Sequence, residues 1–548
     1  EPDELRRHRF IHDSLREIIV EGLSESERRA LHQRVAEVLD DPQVTPSFEE
    51  LCAAALHFEA GEKEKDPARV YRVARAAGDA ALARFDNDTS LRFYQQARAA
   101  AEAAGIALDA AFHRNVGEAH VRVGDTDKSL DAFERALQLT KDPAGRAVLL
   151  GRIAWVYETR AEPERAWEVL DRAFQAVGAR MPVEDVTSAL ATSVHVARCN
   201  VDRLVNRASP LTESEIDLLC ALHYQNARLG LEYGKPARVI QSSIESVALS
   251  ARGGSPSTRA RAEAFYAFVL TALGRHERAK RAIERACEIA ARHGDAATVA
   301  FAVQMHVLVA SWAGDIEQAL LLMRECADIH GPWYELNEYV LIVSSAEAIQ
   351  SVRGRASEAF PWMERAFERM RRSRSRPAVA DYLIHRTRAA MTAIGRDANN
   401  DPWLAAQLDL VSPRDPGRGY HRLVSWGPRA RYYLENDNLG PDFEALVGAF
   451  ESEGHNPRFV HLAVTEYYVC VAHARLHQCL VAGPEERARC LPDLRRAASD
   501  LRACAKIPVV RSHALLVDGC VAYFEGRTRR AKKLLLEAET LATQQGCP

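Results

Sequence analysis

The fold of this chain is decided by a stretch near its middle, which reads AFYAFVLTALGRHERAKRAIERACEIA from Ala264 to Ala290. Two helix-favouring segments flank Gly274, and small residues recur in the second segment at Ala279 and Ala286. Glycine ends a helix readily because it tolerates left-handed backbone angles, and small side chains let two helices approach closely. The stretch therefore predicts a helix-turn-helix unit.

The same unit returns along the chain at a fixed interval. Gly234, Gly274, Gly314 and Gly354 are spaced 40 residues apart. A period between about 20 and 50 residues is typical of stacked repeats, in which each unit buries its apolar face against its neighbours. The recurring small, large and small residues after each turn are Ser90, Tyr94 and Ala97; Ser129, Phe133 and Ala136; Ala166, Leu170 and Ala173; Ala279, Ile283 and Ala286; Ala319, Met323 and Cys326; Ala359, Met363 and Ala366; and Ala531, Leu535 and Ala538.

This pattern resembles the tetratricopeptide repeat, which places small residues, a glycine between helices and a large residue in the second helix at these offsets. The resemblance implies an all-α fold, a right-handed superhelical solenoid of helix-turn-helix repeats. The period of 40 residues exceeds the 34 usual for this repeat. It predicts helices that are longer by about one turn each, at 3.6 residues per turn.

Turn signals and repeat copies together predict the domain organisation. The clear copies lie within a long array at 41–370, and a second group of repeats occupies 455–548. Between them, at 371–454, clustered turn signals such as Asn399-Asn400-Asp401-Pro402 predict an irregular helical joint. Residues 1–40 do not follow the repeat, although the capping-box spacing of Ser24 and Glu27 predicts a helix that runs to about Leu39.

The first 40 residues resemble the end of the winged-helix domain in signal-transducing (STAND, AAA-type) ATPase regulators of bacteria. The triplet Ile11-His12-Asp13 carries this resemblance, and it lies directly before the repeat array. The resemblance implies that His12 senses bound nucleotide once a nucleotide-binding domain is attached. Because the chain starts at Glu1 rather than at a methionine and ends at Pro548, we expect it to be part of a longer polypeptide.

Composition narrows the classes of partner. The 548 residues carry a net charge of only -4, which provides no global attraction to nucleic acid or to anionic lipid. The apolar stretch from Val509 to Phe524 is interrupted by charged residues, so we expect no membrane span. Eleven cysteines are scattered without a Cys-x-x-Cys pair, which suits a reducing compartment. We therefore expect a cytoplasmic protein that binds neither nucleic acid nor membrane.

No cofactor or metal site is expected. The segment from Gly230 to Pro236 lacks one residue of a phosphate-binding loop and has proline where the magnesium ligand belongs, so it predicts a helix end followed by a helix start. Cys470, His473, His477 and Cys479 share a helix, where packing is the favoured interpretation. The basic runs are expected to be a solvated linker at Arg369–Pro377 and the outer face of the last repeat. Those last-repeat residues are Arg527, Arg529, Arg530, Lys532 and Lys533.

A repeat array presents a concave groove lined by the first helix of each repeat. Alignment of the copies predicts a mixed polar and aromatic lining, which suits a protein partner, a peptide or a small-molecule inducer. The alternative, that the aromatic residues pack between helices, stays open. The predicted groove residues are Arg114, Glu118, Trp155, Tyr224, Arg228, Phe268, Gln304 and Trp312.

Three functional hypotheses follow from this reading. The first is a non-catalytic sensor module in which a ligand in the groove biases the attached nucleotide switch of a regulatory ATPase. The second is a constitutive scaffold that assembles protein partners without a ligand-dependent state. The third is an enzyme with a site in the joint at 371–454. A phosphate-binding loop upstream of Glu1 in the parent sequence discriminates the first hypothesis from the second.

Overall fold

The computed structural model describes residues 21–41, 43, 45–160, 162–182, 211–371, 379–407, 420–459 and 464–547. Within these ranges the regular structure consists of 24 α-helices and short 3-10 turns, and it includes no strand. The triplet Ile11-His12-Asp13 lies outside the described residues. The chain divides into two compact units, Glu1–Lys141 and Asp142–Pro548.

Six of the described helices lie in the first unit and pack in succession. Helix α1 begins at the predicted capping box, in which Ser24 N donates to Glu27 Oε2 at 2.9 Å and the Ser24 hydroxyl accepts from Glu27 N. The predicted helix from Ser24 to Leu39 is therefore confirmed. The helices are α1 (Glu25–Leu39), α2 (Phe48–Ala60), α3 (Pro67–Ala83), α4 (Asn87–Ala104), α5 (Ala110–Val123) and α6 (Thr126–Leu139).

The second unit contains the remaining 18 described helices, again as successive antiparallel hairpins. They are α7 (Pro143–Thr159), α8 (Pro163–Ala176), α9 (Glu213–Glu232), α10 (Pro236–Ser250), α11 (Pro256–Ala272), α12 (His276–His293), α13 (Ala296–Ala313), α14 (Ile316–Asp328), α15 (Leu336–Val352), α16 (Ala356–Arg371), α17 (Val379–Ala393), α18 (Pro402–Ala405), α19 (Tyr420–Glu435), α20 (Pro441–Ser452), α21 (Thr465–Val481), α22 (Pro484–Cys504), α23 (Pro508–Phe524) and α24 (Thr528–Gln544).

The repeat register predicted from the glycines is confirmed. Gly234, Gly274, Gly314 and Gly354 all have left-handed φ angles, between 67° and 85°, and each ends the first helix of a hairpin. Ala279 and Ala319, the small residues that follow Gly274 and Gly314, are fully buried between neighbouring helices. The fold is thus the predicted all-α solenoid of tetratricopeptide-like helix-turn-helix repeats.

The region predicted as a joint contains further helices of repeat length. Helices α17 and α19 have 15 and 16 residues, and Gly395 ends α17 with a left-handed φ of 76°, as the repeat glycines do. The predicted turn at Asn399–Pro402 lies between α17 and α18. The other turn signals, at 412–417, fall outside the described residues. The described part of this region therefore continues the hairpin pattern.

Helix α13 is the most apolar of the described helices, which was not predicted from the sequence. By length and composition alone it could cross a membrane, and more than half of it is buried inside the unit. Its side chains pack against α11 and α14, so its apolar character is accounted for by the core. The ten cysteines within the described ranges are all free thiols.

The two basic runs differ: in the first, Arg369 is packed and Arg371 is exposed, whereas the second is exposed throughout. Arg369 donates to the carbonyl oxygen of Gly331 at 2.6 Å and lies over the ring of Tyr339, so the expectation that it belongs to a solvated linker is wrong. Residues 372–378 of this run lie outside the described residues. The run in α24 is exposed at every basic position, as predicted.

Candidate functional site on the inner face

The predicted groove residue Trp155 lies on α7 and joins it to the start of α15. Its indole Nε1 donates to Glu335 Oε2 at 2.6 Å, and Glu335 is the residue immediately before α15. Arg152, one turn earlier on α7, places its Nη2 3.6 Å from Glu335 Oε1. We call the surface around Trp155, Tyr224, Arg228 and Glu335 the inner face.

Arg228 covers the ring of Trp155. Helix α9 places the guanidinium carbon 3.5 Å from the ring centroid, within the range of a cation–π interaction. The same guanidinium forms an ion pair with Glu158 of α7, which is buried. Two residues that were predicted independently, Trp155 and Arg228, are therefore in contact. Trp155 is 9% exposed, so most of its ring is already occupied by the chain itself.

Two carboxyl groups share the guanidinium of Arg228. Burial raises the pKa of Glu158 well above its ordinary value, and Arg228 only partly opposes this effect. Burial also raises the pKa of Glu232, whose carboxyl group lies near that of Glu158. Because two close carboxylates cannot both ionise cheaply beside one cation, the pair holds a proton that an exposed carboxyl would lose.

Tyr224 stands between two phenylalanine rings. The rings of Phe265 and Phe301 each meet it edge-on, with centroids 5.2 Å away. Arg261 lies over the ring of Phe301, 4.5 Å from its centroid. Burial raises the pKa of the Tyr224 hydroxyl, Arg228 and Arg261 lower it, and the carboxylate of Glu338 raises it. Charged groups of both signs therefore surround a half-buried tyrosine.

Phe268 requires a correction. Only 1% of it is exposed, and its ring meets Trp312 edge-on with centroids 5.9 Å apart. Phe268 therefore belongs to the core between α11 and its neighbours and does not line a groove. Trp312 and Gln304, both on α13, are half-buried.

The remaining predicted residues lie in the first unit. Arg114 and Glu118 are on α5. Arg114 is exposed and its Nε lies 3.3 Å from Asn115 Oδ1, whereas Glu118 is half-buried. The contacts described for the inner face thus bring together Trp155, Tyr224 and Arg228 within the second unit.

Sequence reasoning missed Glu335 and Glu338. Their spacing is a signal of a helix start, and Glu338 Oε2 accepts from Glu335 N at 3.1 Å in a capping box. The capping box could have been found from the sequence. The contact of Glu335 with Trp155, 180 residues away, could not.

A second charged cluster, the charge ring, occupies the first helices of four successive hairpins. It contains Glu347 on α15, Arg386 on α17, Arg431 on α19 and Glu466 on α21, all buried. Each arginine contacts both glutamates, with Arg386–Glu466 at 2.7 Å, Arg431–Glu347 at 2.6 Å and Arg431–Glu466 at 3.0 Å. Two positive and two negative charges balance, so the charge ring connects the helices without needing a further ion.

The two histidines of the Cys470–Cys479 segment have separate partners. His473 Nε2 lies 2.9 Å from His513 Nδ1, and His477 Nδ1 lies 3.3 Å from Asp437 Oδ1. In the part of the chain that the structure describes, no group of three or more His, Cys, Asp or Glu side chains is arranged to hold a metal ion.

Comparison with models of protein families gives no match, and comparison with curated proteins gives none either. Among solved structures, the chain is similar to a human IFIT1 dimer with m7Gppp-AAAA, at 12% identity over 79% of this chain and 90% of that chain, with a TM-score of 0.30. Yeast Tom70 is similar at 12% identity over 88% and 97%, with a TM-score of 0.30. Naa15/Naa10 bound to HypK-THB is similar at 12% over 97% and 95%, with a TM-score of 0.25. TM-scores this low give no information about the ligands or partners of this chain.

Proposed function

We propose that this chain is a non-catalytic helical-repeat module that binds an extended segment of a partner protein on its inner face. One observation carries the proposal: the half-buried Arg228 of α9 lies over Trp155 of α7, and Trp155 donates to the half-buried Glu335 before α15, so polar and aromatic groups from three helices form one surface. Half-buried polar and aromatic groups on a rigid helical scaffold are the usual anchors of peptide recognition.

The charges of the inner face favour a peptide over a nucleic acid. Glu158, Glu232 and Glu335 accompany Arg228 and Arg152 there, so acidic groups are at least as numerous as basic ones. A phosphate backbone is bound through an excess of positive charge, which this surface does not provide. A peptide offers both N–H donors and carbonyl acceptors, and these can pair with side chains of either sign.

The peptide-binding proposal is tested by charge reversal at the edge of the inner face. A library of random dodecapeptides is selected on the chain, and the affinities of the enriched peptides are measured by fluorescence anisotropy. Arg261→Glu should weaken them by about tenfold or more, since opposite-sign contacts become repulsive. Arg281→Glu, an exposed position on α12, is the matched control and should leave them unchanged. Equal affinities in the two variants would count against the inner face.

We also propose, from the resemblance of Ile11-His12-Asp13, that the module serves as the sensor of a regulatory ATPase. The hydrogen bond between Trp155 and Glu335 supports this proposal. A bound segment that replaces either residue in this bond shifts the position of α7 relative to α15, and a sensor needs a conformational change of this kind. The alternative is a constitutive scaffold. The parent sequence upstream of Glu1 decides between them, since the sensor requires a phosphate-binding loop there. We propose a cytoplasmic location, in keeping with the free thiols.

A further inference from the structure

A cavity of about 410 Å³ lies in the second unit between α20, α21 and α22, apart from the inner face. Its volume is within the range of about 300 to 1,000 Å³ that is usual for small-molecule sites. Aromatic rings form part of its wall: Phe450 on α20, and Tyr467 and Tyr468 on α21. Gly448 opens the wall, since a Cβ placed there would meet no atom within 4 Å.

The two tyrosines are buried but lack hydrogen-bond partners. Tyr467 is 3% exposed and Tyr468 is 6% exposed. Across the described residues, neither hydroxyl forms a hydrogen bond, and both side chains line the cavity. The side chains are buried but their hydroxyl oxygens remain accessible from the cavity, so each can donate to and accept from a polar group that enters it.

The carboxylates of the cavity outnumber its cations. Glu444 accepts from Arg475 Nη2 at 2.8 Å, and Glu451 lies 3.3 Å from Arg496 Nη2, so both arginines already have anionic partners. His455 faces Glu453, with His455 Nε2 2.8 Å from Glu453 Oε2.

Asp493 and Asp500, the other two carboxylates of the lining, form no ion pair or hydrogen bond within the described chain. Burial raises the pKa of Asp500, and the positive charge of Arg496 partly opposes this effect.

We propose that this cavity binds an organic cation, a primary ammonium or guanidinium group, with Asp500 as its counter-ion and the aromatic side chains of Phe450, Tyr467 and Tyr468 in the adjoining wall. An ammonium group donates up to three hydrogen bonds, which matches one carboxylate and two hydroxyl oxygens. The rings of Phe450 and Tyr467 stack on each other, with centroids 3.8 Å apart, so the aromatic wall acts mainly by excluding water, which strengthens the attraction between the cation and Asp500. The site is independent of the peptide-binding proposal and of its residues.

Benzylamine and benzyl alcohol, which have similar shapes and differ in charge, are the probes for this site. Binding is measured by isothermal titration calorimetry on the full chain. We expect benzylamine to bind at least about tenfold more tightly than the alcohol. Asp500→Asn keeps the side-chain volume and should remove this preference. Gly448→Leu adds a side chain at the cavity wall and should weaken the binding of both probes by about tenfold or more, without harming the helix, since leucine favours helix over glycine.

Glu486→Gln, an exposed position in the first turn of α22, is the matched control and should bind both probes as the unmodified chain does. Thermal melts establish that each variant is folded. The inference is overturned if benzylamine does not bind at millimolar concentration, which would leave the cavity to water. It is also overturned if Asp500→Asn or Gly448→Leu binds benzylamine normally.

A second experiment tests whether the bound cation is a lysine side chain of another protein or a free amine. The blocked tripeptide acetyl-Gly-Lys-Gly-amide presents the same ammonium group on a protein side chain. If it binds more tightly than benzylamine, the site receives a lysine of another protein. If benzylamine binds more tightly, the site receives a free amine. Both results require that Asp500→Asn weakens the tighter probe by about tenfold or more.

Discussion

The indole of Trp155 donates a hydrogen bond of 2.6 Å to Glu335, although 180 residues separate them. Among the described residues between them are three complete hairpins, α9–α10, α11–α12 and α13–α14. In an ideal solenoid each repeat contacts only its neighbours. The second unit departs from that rule at this point, so its inner face is partly closed by its own chain.

The first prediction concerns this hydrogen bond. Trp155→Phe keeps an aromatic ring beneath Arg228 but removes the donor, so the free energy of unfolding should fall by about 1 to 3 kcal/mol. Glu335→Gln should cost less because its amide oxygen can still accept. A double-mutant cycle from urea denaturation should give a coupling of at least about 0.5 kcal/mol. Additive effects would contradict the contact.

The second prediction compares two equivalent turn glycines. Gly274 and Gly314 both have left-handed φ angles, so the backbone strain of an alanine should by itself cost about 1 to 2 kcal/mol at either position. A Cβ on Gly274 would meet open space, whereas on Gly314 it would lie 2.5 Å from Pro508, the first residue of α23. Gly314→Ala should therefore cost about 1 to 3 kcal/mol more than Gly274→Ala.

The combined variant Gly314→Ala with Pro508→Ala tests the cause of that difference, because it removes much of the ring that the new Cβ would meet. Its extra cost relative to Gly274→Ala should shrink in chemical denaturation experiments. Equal destabilisation by Gly274→Ala and Gly314→Ala would show that α23 does not approach this turn.

The third prediction concerns the charge ring. Burial alone would raise the pKa of Glu347, but the guanidinium groups of Arg431 and Arg386 lower it below its ordinary value. Arg386→Met leaves Glu347 and Glu466 with a single cation between them, and it should cost about 3 to 5 kcal/mol. Arg365→Met, which breaks the exposed pair with Asp328, should cost at most about 1 kcal/mol. Similar losses in calorimetric melts of the two variants would disprove the burial of the ring.

The fourth prediction is a pH dependence of stability. Burial and the neighbouring His513 lower the pKa of His473 to about 3. His513 Nε2 donates a hydrogen bond to the carbonyl oxygen of Val352 at 2.9 Å, so Nε2 carries the ring proton of His513. Its Nδ1 is therefore free to accept a hydrogen bond from His473 Nε2. Between this pKa and the ordinary value of about 6.5, the unfolded chain binds a proton that the folded chain does not.

Stability should therefore fall as pH decreases from about 6.5 towards 3, with a loss of about 2 kcal/mol from His473 by pH 5. His473→Gln removes this titration, so its free energy of unfolding should depend less on pH between 7 and 5. Val469→Ala, a buried position on the same helix, should lower stability without changing the slope. An unchanged slope in His473→Gln would refute the assignment.

Local rules account for what could be predicted about the repeats. The left-handed angle at Gly274, the capping box of Ser24 and Glu27, and the buried contact of Ala279 each depend on residues within one or two hairpins. Steric limits on φ and the closeness of packed helices act over that range, so a single sequence carries the information. The placement of Pro236 at the first position of α10 was predictable for the same reason.

The candidate sites depended on geometry that accumulates along the chain. Trp155 and Phe268 occupy similar positions in their repeats, yet one contacts Glu335 across three hairpins and the other is enclosed in the core. Small rotations between successive repeats add up over such distances, and the repeat pattern does not encode their sum. The charge ring and the cavity beside Asp500 arise in the same way. The sequence by itself determined the helices, their turns and their order, because those follow from local sterics and hydrogen bonding. Only the tertiary structure decided which distant side chains meet, because burial and charge pairing depend on the whole packed array.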